Sequence, residues 1–195
     1  MDCSDKKECR EKKAAIIQAT VELVGEHGFH GAPMAMVAER AGVAAGTIYR
    51  YFENKDALIT GTYKDLEERL QAKVLQGFPE QGTPREKFFH FARVLVKWWI
   101  ASPVDFRFVE QFHNSPYGVA QRRDKLLGKQ RNLCWDIFHE ALEQQGVKDL
   151  PLPILFGLTF GPLILISRDH NHGFIALDDT MIEQTIEGCW NAVKR

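Results

Sequence analysis

Apolar side chains recur along this chain at intervals of three and four residues, the spacing of one face of an α-helix. No stretch shows the strict alternation of apolar and polar residues that is typical of a β-strand. The pattern therefore predicts an all-α fold of about nine helices. They are expected over residues 11–26, 34–41, 45–52, 55–76, 84–102, 103–113, 119–145 and 151–168, and from 180 nearly to the C-terminus.

Residue types at several predicted helix ends support these boundaries. Asn54 suits the N-cap of the fourth helix, and Gly42 suits the end of the second because glycine readily adopts a left-handed backbone. Residues 83–86 (TPRE) match a capping box with proline in the first turn, and Thr180 and Glu183 suggest a second box. Residues 77–82 (GFPEQG) are the best linker.

The second and third predicted helices are short and are joined by three or four residues, which is the helix-turn-helix arrangement. Ile48 and Phe52 are four residues apart and should face the core. The absence of bulk at the start of the third helix would let its backbone approach DNA. Hydroxyls and cations on its other faces suit phosphates and base edges. The candidate DNA-binding residues are Ala45, Gly46, Thr47, Tyr49, Arg50, Tyr51 and Lys55.

Residues 16–58 resemble the N-terminal domain of the tetracycline-repressor (TetR/AcrR) family of bacterial transcription regulators. The resemblance is carried by Ile16-Ile17, Ala19, Leu23, Gly28-Phe29, Val37-Ala38, residues 41–43 (AGV), residues 46–52 (GTIYRYF), Lys55 and Leu58. It implies that Thr47, Tyr49, Tyr51 and Lys55 hold phosphates, and that Ala45, Gly46 and Arg50 reach bases.

Two positions depart from the family pattern. The family usually has a hydroxyl residue at the position of Ala44, where it caps the third helix, and often threonine at the position of Ala32. Loss of such a cap costs about 1 kcal/mol of stability. These departures affect the expected DNA affinity but not the expected fold.

The remaining helices carry more aromatic surface than a two-layer helical bundle normally buries, which leaves a ligand cavity, a subunit interface or simply a core as explanations. The resemblance implies both a small-molecule pocket among the middle helices and a dimer formed by the last two. The candidate ligand-binding residues are Phe91, Trp98, Phe112, Trp135, Phe156 and Phe160. The candidate dimer interface consists of Ile154, Gly157, Leu158, Gly161, Leu165, Ile182, Ile186 and Trp190.

The resemblance thus implies a cytoplasmic, homodimeric regulator without a cofactor or enzymatic activity. We expect a repressor that leaves a palindromic operator when a hydrophobic or aromatic ligand binds. Its predicted parts are a DNA-binding domain at 1–55, of which 1–10 form a flexible tail, a connecting helix at 56–76, and a ligand-binding and dimerisation domain at 77–195.

Composition restricts this picture in three ways. The net charge is −1, so a DNA-binding surface must be a local patch. The four cysteines show no metal-ligand spacing, which fits reduced thiols in a cytoplasm. Residues 150–167 carry no charge but contain three prolines, which favours a buried helix over a membrane span.

Other interpretations remain open at this stage. The basic residues of the tail suit either a DNA-contacting arm or a solvated segment. Residues 169–172 (DHNH) suit either a metal site or a polar turn, and the whole chain could be a helical carrier of hydrophobic ligands that binds no DNA. The basic residues in question are Lys6, Lys7, Arg10, Lys12 and Lys13.

Overall fold

The computed structural model of the protein describes residues 3–126 and 133–195. Within these ranges it contains ten α-helices, no strand and one isolated backbone bridge between Val147 and Lys194. The predicted all-α class is confirmed. The helices are α1 (Cys3–His27), α2 (Met34–Arg40), α3 (Ala45–Ile48), α4 (Lys55–Leu75), α5 (Pro84–Ala101), α6 (Pro103–His113), α7 (Pro116–Leu126), α8 (Leu133–Glu143), α9 (Leu152–Asn171) and α10 (Asp179–Val193).

The chain divides into two compact units. Unit 1 comprises Met1–Arg69 and Val104–Arg123, and unit 2 comprises Leu70–Pro103 and Asp124–Arg195. Unit 1 therefore contains α6 and most of α7 in addition to the helices nearest the N-terminus. The predicted functional parts 1–55, 56–76 and 77–195 follow the order of the sequence, and they remain a prediction.

In unit 1, the apolar faces of α1, α2, α3 and the start of α4 enclose a small core. Ile16, Leu23, Val37, Ile48 and Leu58 are buried there. Gly61 lets α4 come close to the segment after α3, since a Cβ at this position would lie 2.8 Å from the ring of Phe52. This core fixes α3 against α2, and the segment after α3 against α4.

Unit 2 is organised around Phe88 on α5, which is fully buried. Its ring centroid lies 5.9 Å from those of Phe138 on α8 and Phe160 on α9, and 5.5 Å from that of Trp190 on α10. Aromatic pairs at such separations add to the free energy gained by burying the rings. One aromatic side chain thus ties four helices together.

Ion pairs along the surface connect α5 to its neighbours in unit 2. Arg85 pairs with Glu187, Arg93 pairs with Glu183, and the Lys97 ammonium lies 2.8 Å from the Asp179 carboxylate. These three pairs join α5 to α10. They are partly exposed, so each contributes little to stability but helps to fix the alignment of the two helices.

Several predicted helix ends are confirmed, and one is wrong. Thr83 and Glu86 form the predicted capping box, and Asn54 accepts a hydrogen bond from the Ala57 N–H at 2.8 Å. Thr180 is not a cap, because α10 begins one residue earlier. Its N-cap is Asp178, whose carboxylate accepts from the Met181 N–H at 2.7 Å.

Three helix boundaries also differ from the predictions. The helix predicted from residue 11 begins at Cys3, which removes the expected flexible tail from the described residues. The helix predicted to end at Phe52 ends at Ile48 and is followed by a turn. The helix predicted over 119–145 begins earlier, at Pro116, and its described parts are α7 and α8, since residues 127–132 lie outside the described residues.

Candidate nucleic-acid interface

The turn between α2 and α3 has the backbone geometry of a helix-turn-helix motif. Gly42 has a φ of 65°, and its N–H donates to the Glu39 carbonyl at 3.0 Å. The next N–H, that of Val43, donates to the Ala38 carbonyl at 2.9 Å. Glycine reaches this left-handed conformation without steric cost, so the chain reverses within a few residues and α3 can pack across α2.

In α3 and the turn after it, the core-facing and surface-facing side chains separate as predicted. Ile48 and Phe52 are buried, whereas Tyr49 is 57 % exposed and Arg50 is exposed as well. Ala45 and Gly46 are also exposed at the start of the helix, and a Cβ added at Gly46 would meet no atom within 4 Å. Thr47 and Tyr51 are half-buried. The surface therefore combines bare backbone with an aromatic hydroxyl and a guanidinium.

Ala44 occupies the N-cap position of α3 and provides no side-chain hydrogen bond to the helix. Ala32, the other departure from the family pattern, is buried in unit 1. A methyl group at position 44 leaves the first N–H groups of α3 without the usual hydroxyl acceptor. These groups consequently remain available at the exposed end of the helix.

The N-terminal turns of α1 lie beside Tyr51, in the turn that follows α3. The side chains of Cys9 and Tyr51 are hydrogen-bonded. This bond is the main cause of the raised pKa of Tyr51, and partial burial of the hydroxyl is the second cause. Lys12 and Arg50 are both close enough to influence the Tyr51 hydroxyl electrostatically. Lys12 pairs with Glu8 on the same helix at 2.5 Å. The cations of α1 and of the segment after α3 thus share one side of unit 1.

Lys55 is held by its own chain. Its ammonium donates to the Phe29 carbonyl at 2.5 Å and is partly buried, at the start of α4. This bond fixes the loop after α1 against α4. An ammonium has three donors, so two remain for another acceptor such as a phosphate oxygen.

An aromatic column in unit 1 connects α4 with α6 and α7. The rings of Tyr63 and Phe112 are stacked with centroids 3.9 Å apart, and Tyr117 lies 5.6 Å from Phe29. The Tyr117 hydroxyl donates to Asp56 at 2.6 Å, which raises the pKa of Tyr117 to about 12. The column therefore reaches the first turn of α4, directly after the helix-turn-helix motif.

The structure brings together four of the six predicted ligand-binding residues. Phe91, Trp135, Phe156 and Phe160 form a chain of ring contacts in unit 2, with centroid separations of 5.0 to 5.9 Å. Trp98 is not among these contacts and lines a surface groove of the same unit. Phe112 belongs to the aromatic column of unit 1 and is fully buried, so it packs that core.

The predicted dimer-interface residues fall into two groups. Those on α9, namely Ile154, Gly157, Leu158, Gly161 and Leu165, are all exposed on one side of the helix. Those on α10, namely Ile182, Ile186 and Trp190, are buried within unit 2, because this face of α10 packs on α5 and α9. On α10 the exposed face instead carries Met181, Gln184 and Gly188.

Comparison with known proteins identifies the family. Residues 16–61 match the model of the bacterial regulatory proteins of the TetR family, and residues 85–194 match that of the tetracyclin repressor-like C-terminal domain. The chain belongs to the TetR family. It is accordingly a DNA-binding transcriptional regulator and not an enzyme.

Individual TetR relatives cover nearly the whole chain. A fatty acid metabolism regulator protein of Bacillus subtilis is 26% identical over 95% of this chain and 99% of its own. A TetR-family regulator from Marinobacter aquaeolei has a TM-score of 0.84 at 23% identity, covering 97% of this chain and 100% of that chain. A FadR regulator of Bacillus subtilis, solved in complex with stearoyl-CoA, has a TM-score of 0.69 at 21% identity, covering 90% and 98%.

Membership of the TetR family also decides between the alternative functions. A carrier without DNA binding is excluded, because regulators of this family bind operator DNA and small-molecule effectors and are typically dimers. Helix α9 is long and apolar enough to cross a membrane by length and composition. One face of it, including Leu155, Phe160 and Leu163, is nevertheless buried in unit 2, and the helix lies within the matched C-terminal domain.

The histidine run at 169–172 ends α9 and begins the following turn. His170 accepts a hydrogen bond from the Leu177 N–H at 3.1 Å and so holds that turn together. Among the residues that the structure describes, no group of three potential metal ligands is found. The geometry of His170 agrees with the polar-turn interpretation.

Sequence reasoning missed that the N-terminal turns of α1 are helical and that Cys9 and Lys12 on them lie close to Tyr51. These turns carry Arg10, Lys12 and Lys13 on a helix, whereas the side chain of Lys6 lies outside the described part of the chain. A signal was present in the sequence. Lys7 with Glu11 and Glu8 with Lys12 are oppositely charged pairs four residues apart, and such pairs support a helix.

Proposed function

We propose that this regulator is a cytoplasmic homodimeric repressor that reads a palindromic operator with α3 and is released by a long-chain acyl ligand. The observation that carries the DNA-binding part is the exposure of Tyr49 and Arg50 in the turn that directly follows the short helix α3, whereas Ile48 and Phe52 are buried. A helix of this kind fits the major groove, because its apolar side packs on the core and its polar side faces the DNA.

The residues of this interface have different roles in the proposal. Arg50 contacts a base edge or a phosphate, and the open backbone at Ala45 and Gly46 allows α3 to approach the bases. The hydroxyls of Thr47, Tyr49 and Tyr51 and the remaining donors of Lys55 hold phosphates. Lys12 and its basic neighbours on α1 extend this phosphate-binding surface beyond α3.

The exposed apolar face of α9 supports the dimer. Ile154, Leu158 and Leu165 are between 39% and 52% exposed, and Gly157 and Gly161 on the same side have open space above their Cα atoms. Large apolar side chains around two glycines allow a second helix to approach closely. Together with Met181 on α10, this face suits a two-fold interface, which would present two copies of α3 to successive major grooves.

The aromatic cluster in unit 2 supports a long apolar ligand. Phe91 belongs to α5, whereas Phe156 and Phe160 belong to α9, so a molecule inserted among their rings would displace α5 relative to α9. The sequence similarity to a fatty acid metabolism regulator supports an acyl chain as that molecule. Helix α4 contributes residues to both units, and Asp56 at its start holds Tyr117. We propose this helix as the element whose displacement weakens DNA binding.

The ligand part of the proposal is tested with DNA from upstream of the protein's own gene. Fluorescence polarisation should show salt-sensitive binding, and saturating palmitoyl-CoA should weaken it roughly 5- to 150-fold, the range of ordinary allosteric coupling. Octanoyl-CoA serves as a matched short-chain control with a smaller effect. DNA binding that neither acyl compound changes would contradict an acyl effector while leaving the regulator assignment intact.

A further inference from the structure

The last turn of α4 and the outer side of α5 border an open groove of ≈ 340 Å³ within unit 2. Most of its lining surface is apolar, and three cationic side chains stand around it. This combination suits a molecule that has an apolar part and a strongly anionic part. The lining residues are Lys73, Arg93, Val94, Lys97, Trp98, Ala101 and Ser102.

The cationic side chains that line the groove can still bind an anion. Arg93 uses Nε and Nη2 in its pair with Glu183, so Nη1 stands outside that pair. Lys97 pairs with Asp179, whose side chain is 80% exposed, and ion pairs this exposed are weak enough for another anion to replace the carboxylate. Lys73 is exposed at the α4 side of the groove.

The apolar floor continues towards the aromatic cluster. Phe91, Val94, Trp98 and Ala101 follow one another on α5 at intervals of three and four residues, which places them on one face of the helix. Ala101 follows Phe91 by ten positions, which corresponds to about 15 Å along the helix axis. Phe91 in turn contacts the Phe160 ring, with centroids 5.9 Å apart. The groove and the cluster thus lie along one apolar strip.

We propose that this groove binds the phosphate-bearing head of an acyl-CoA, whose acyl chain follows the α5 strip to Phe91 and Phe160. The inference rests on the proposed function and adds the head-group class and its site. Phosphates form strong charge-assisted hydrogen bonds with ammonium and guanidinium groups. A free fatty acid has the same chain but lacks these phosphates, so the protein distinguishes the thioester from the acid.

Lys73→Glu tests this site in the full-length protein, because Lys73 is exposed and its replacement leaves the core intact. Isothermal titration with palmitoyl-CoA and with palmitate, both below their micellar concentrations, gives the two affinities. We expect the variant to bind palmitoyl-CoA about tenfold more weakly, the loss of one charge-assisted hydrogen bond, and palmitate as the wild type does. Lys64→Glu is the matched control, since Lys64 is another exposed lysine on α4.

The possible results distinguish a failure of the head-group site from a failure of the proposed function. Unchanged binding of palmitoyl-CoA by Lys73→Glu would overturn the head-group site, and so would an equal loss of affinity for both ligands. An effect of the same size from Lys64→Glu would also overturn it, because the cause would then be general charge. If the wild type binds neither palmitoyl-CoA nor palmitate, the acyl effector itself is refuted, and the head-group site with it.

Discussion

Replacing Arg50 with alanine is expected to weaken operator binding at least about thirtyfold. A specific guanidinium contact to a base is worth about 1–3 kcal/mol, and a dimer loses two of them, so the combined loss is roughly 2–6 kcal/mol. Arg50 is exposed, and its removal creates no cavity. The melting temperature should therefore stay within a degree or two of the wild-type value while polarisation titrations show the loss of affinity.

A control variant and titrations at several salt concentrations show whether the loss of affinity is specific to Arg50. Lys64→Ala removes another exposed cation of unit 1, and it should leave operator affinity within about twofold of the wild type. If Arg50 reads a base, its loss should affect the operator much more than random DNA. If it holds a phosphate, both affinities should fall and the salt dependence should become shallower. Equal affinity of wild type and Arg50→Ala for the operator would refute the proposed role of Arg50.

Placing a carboxylate in the exposed apolar face of α9 should abolish the dimer and, with it, operator binding. Leu165 is 52% exposed in the single chain, and the proposed interface would bury it against a second copy. Leu165→Asp would then bury two unpaired charges, which costs several kcal/mol. Because linking two half-site readers typically raises affinity by about 10²–10⁴-fold, the monomer should lose at least about 100-fold in affinity.

Leu75→Asp provides the matched control for this experiment. Leu75 lies on α4 and is also 52% exposed, so the chemical change and the exposure are the same. Analytical ultracentrifugation at micromolar concentration should show a monomer for Leu165→Asp and a dimer for Leu75→Asp. A dimer for Leu165→Asp would place the interface elsewhere. A monomeric wild type would exclude a stable dimer at these concentrations.

The sequence predicted the helix-turn-helix motif well because the determinants of that motif are local. Gly42 sets the turn through its own backbone conformation, and Ile48 and Phe52 are placed in the core by their four-residue spacing. The capping box at Thr83 is equally local, since both of its hydrogen bonds join residues three apart. Such features need no knowledge of the rest of the fold.

The predictions that changed depend on contacts between helices distant in sequence. Ile182, Ile186 and Trp190 form an apolar stripe, but a stripe does not reveal whether its partner is α5 of the same chain or another subunit. Phe112 was likewise indistinguishable from the other aromatics until its stacking on Tyr63, 49 positions earlier in the chain, placed it in unit 1. Lys55 looked like a free cation because its acceptor, the Phe29 carbonyl, belongs to a loop 26 residues away.

The length of α1 was missed for a different reason. Residues 3–13 contain almost no large apolar side chain, so hydrophobic periodicity cannot detect a helix there. The helix is supported instead by pairs of opposite charge four residues apart and by the contact between Cys9 and Tyr51. Its helical N-terminus adds Lys12 to the surface around Arg50.

In vitro selection from random DNA with the full-length protein tests the central claim most directly. If a two-fold dimer presents two copies of α3, the enriched sequences should be palindromic. Their half-sites should be centred about 34–36 Å apart, roughly one helical turn, or a multiple of this distance. Arg50→Ala, selected in parallel, should enrich no site. Selected sequences without two-fold symmetry, or equal enrichment by wild type and variant, would contradict the proposal that α3 reads the operator as part of a symmetric pair.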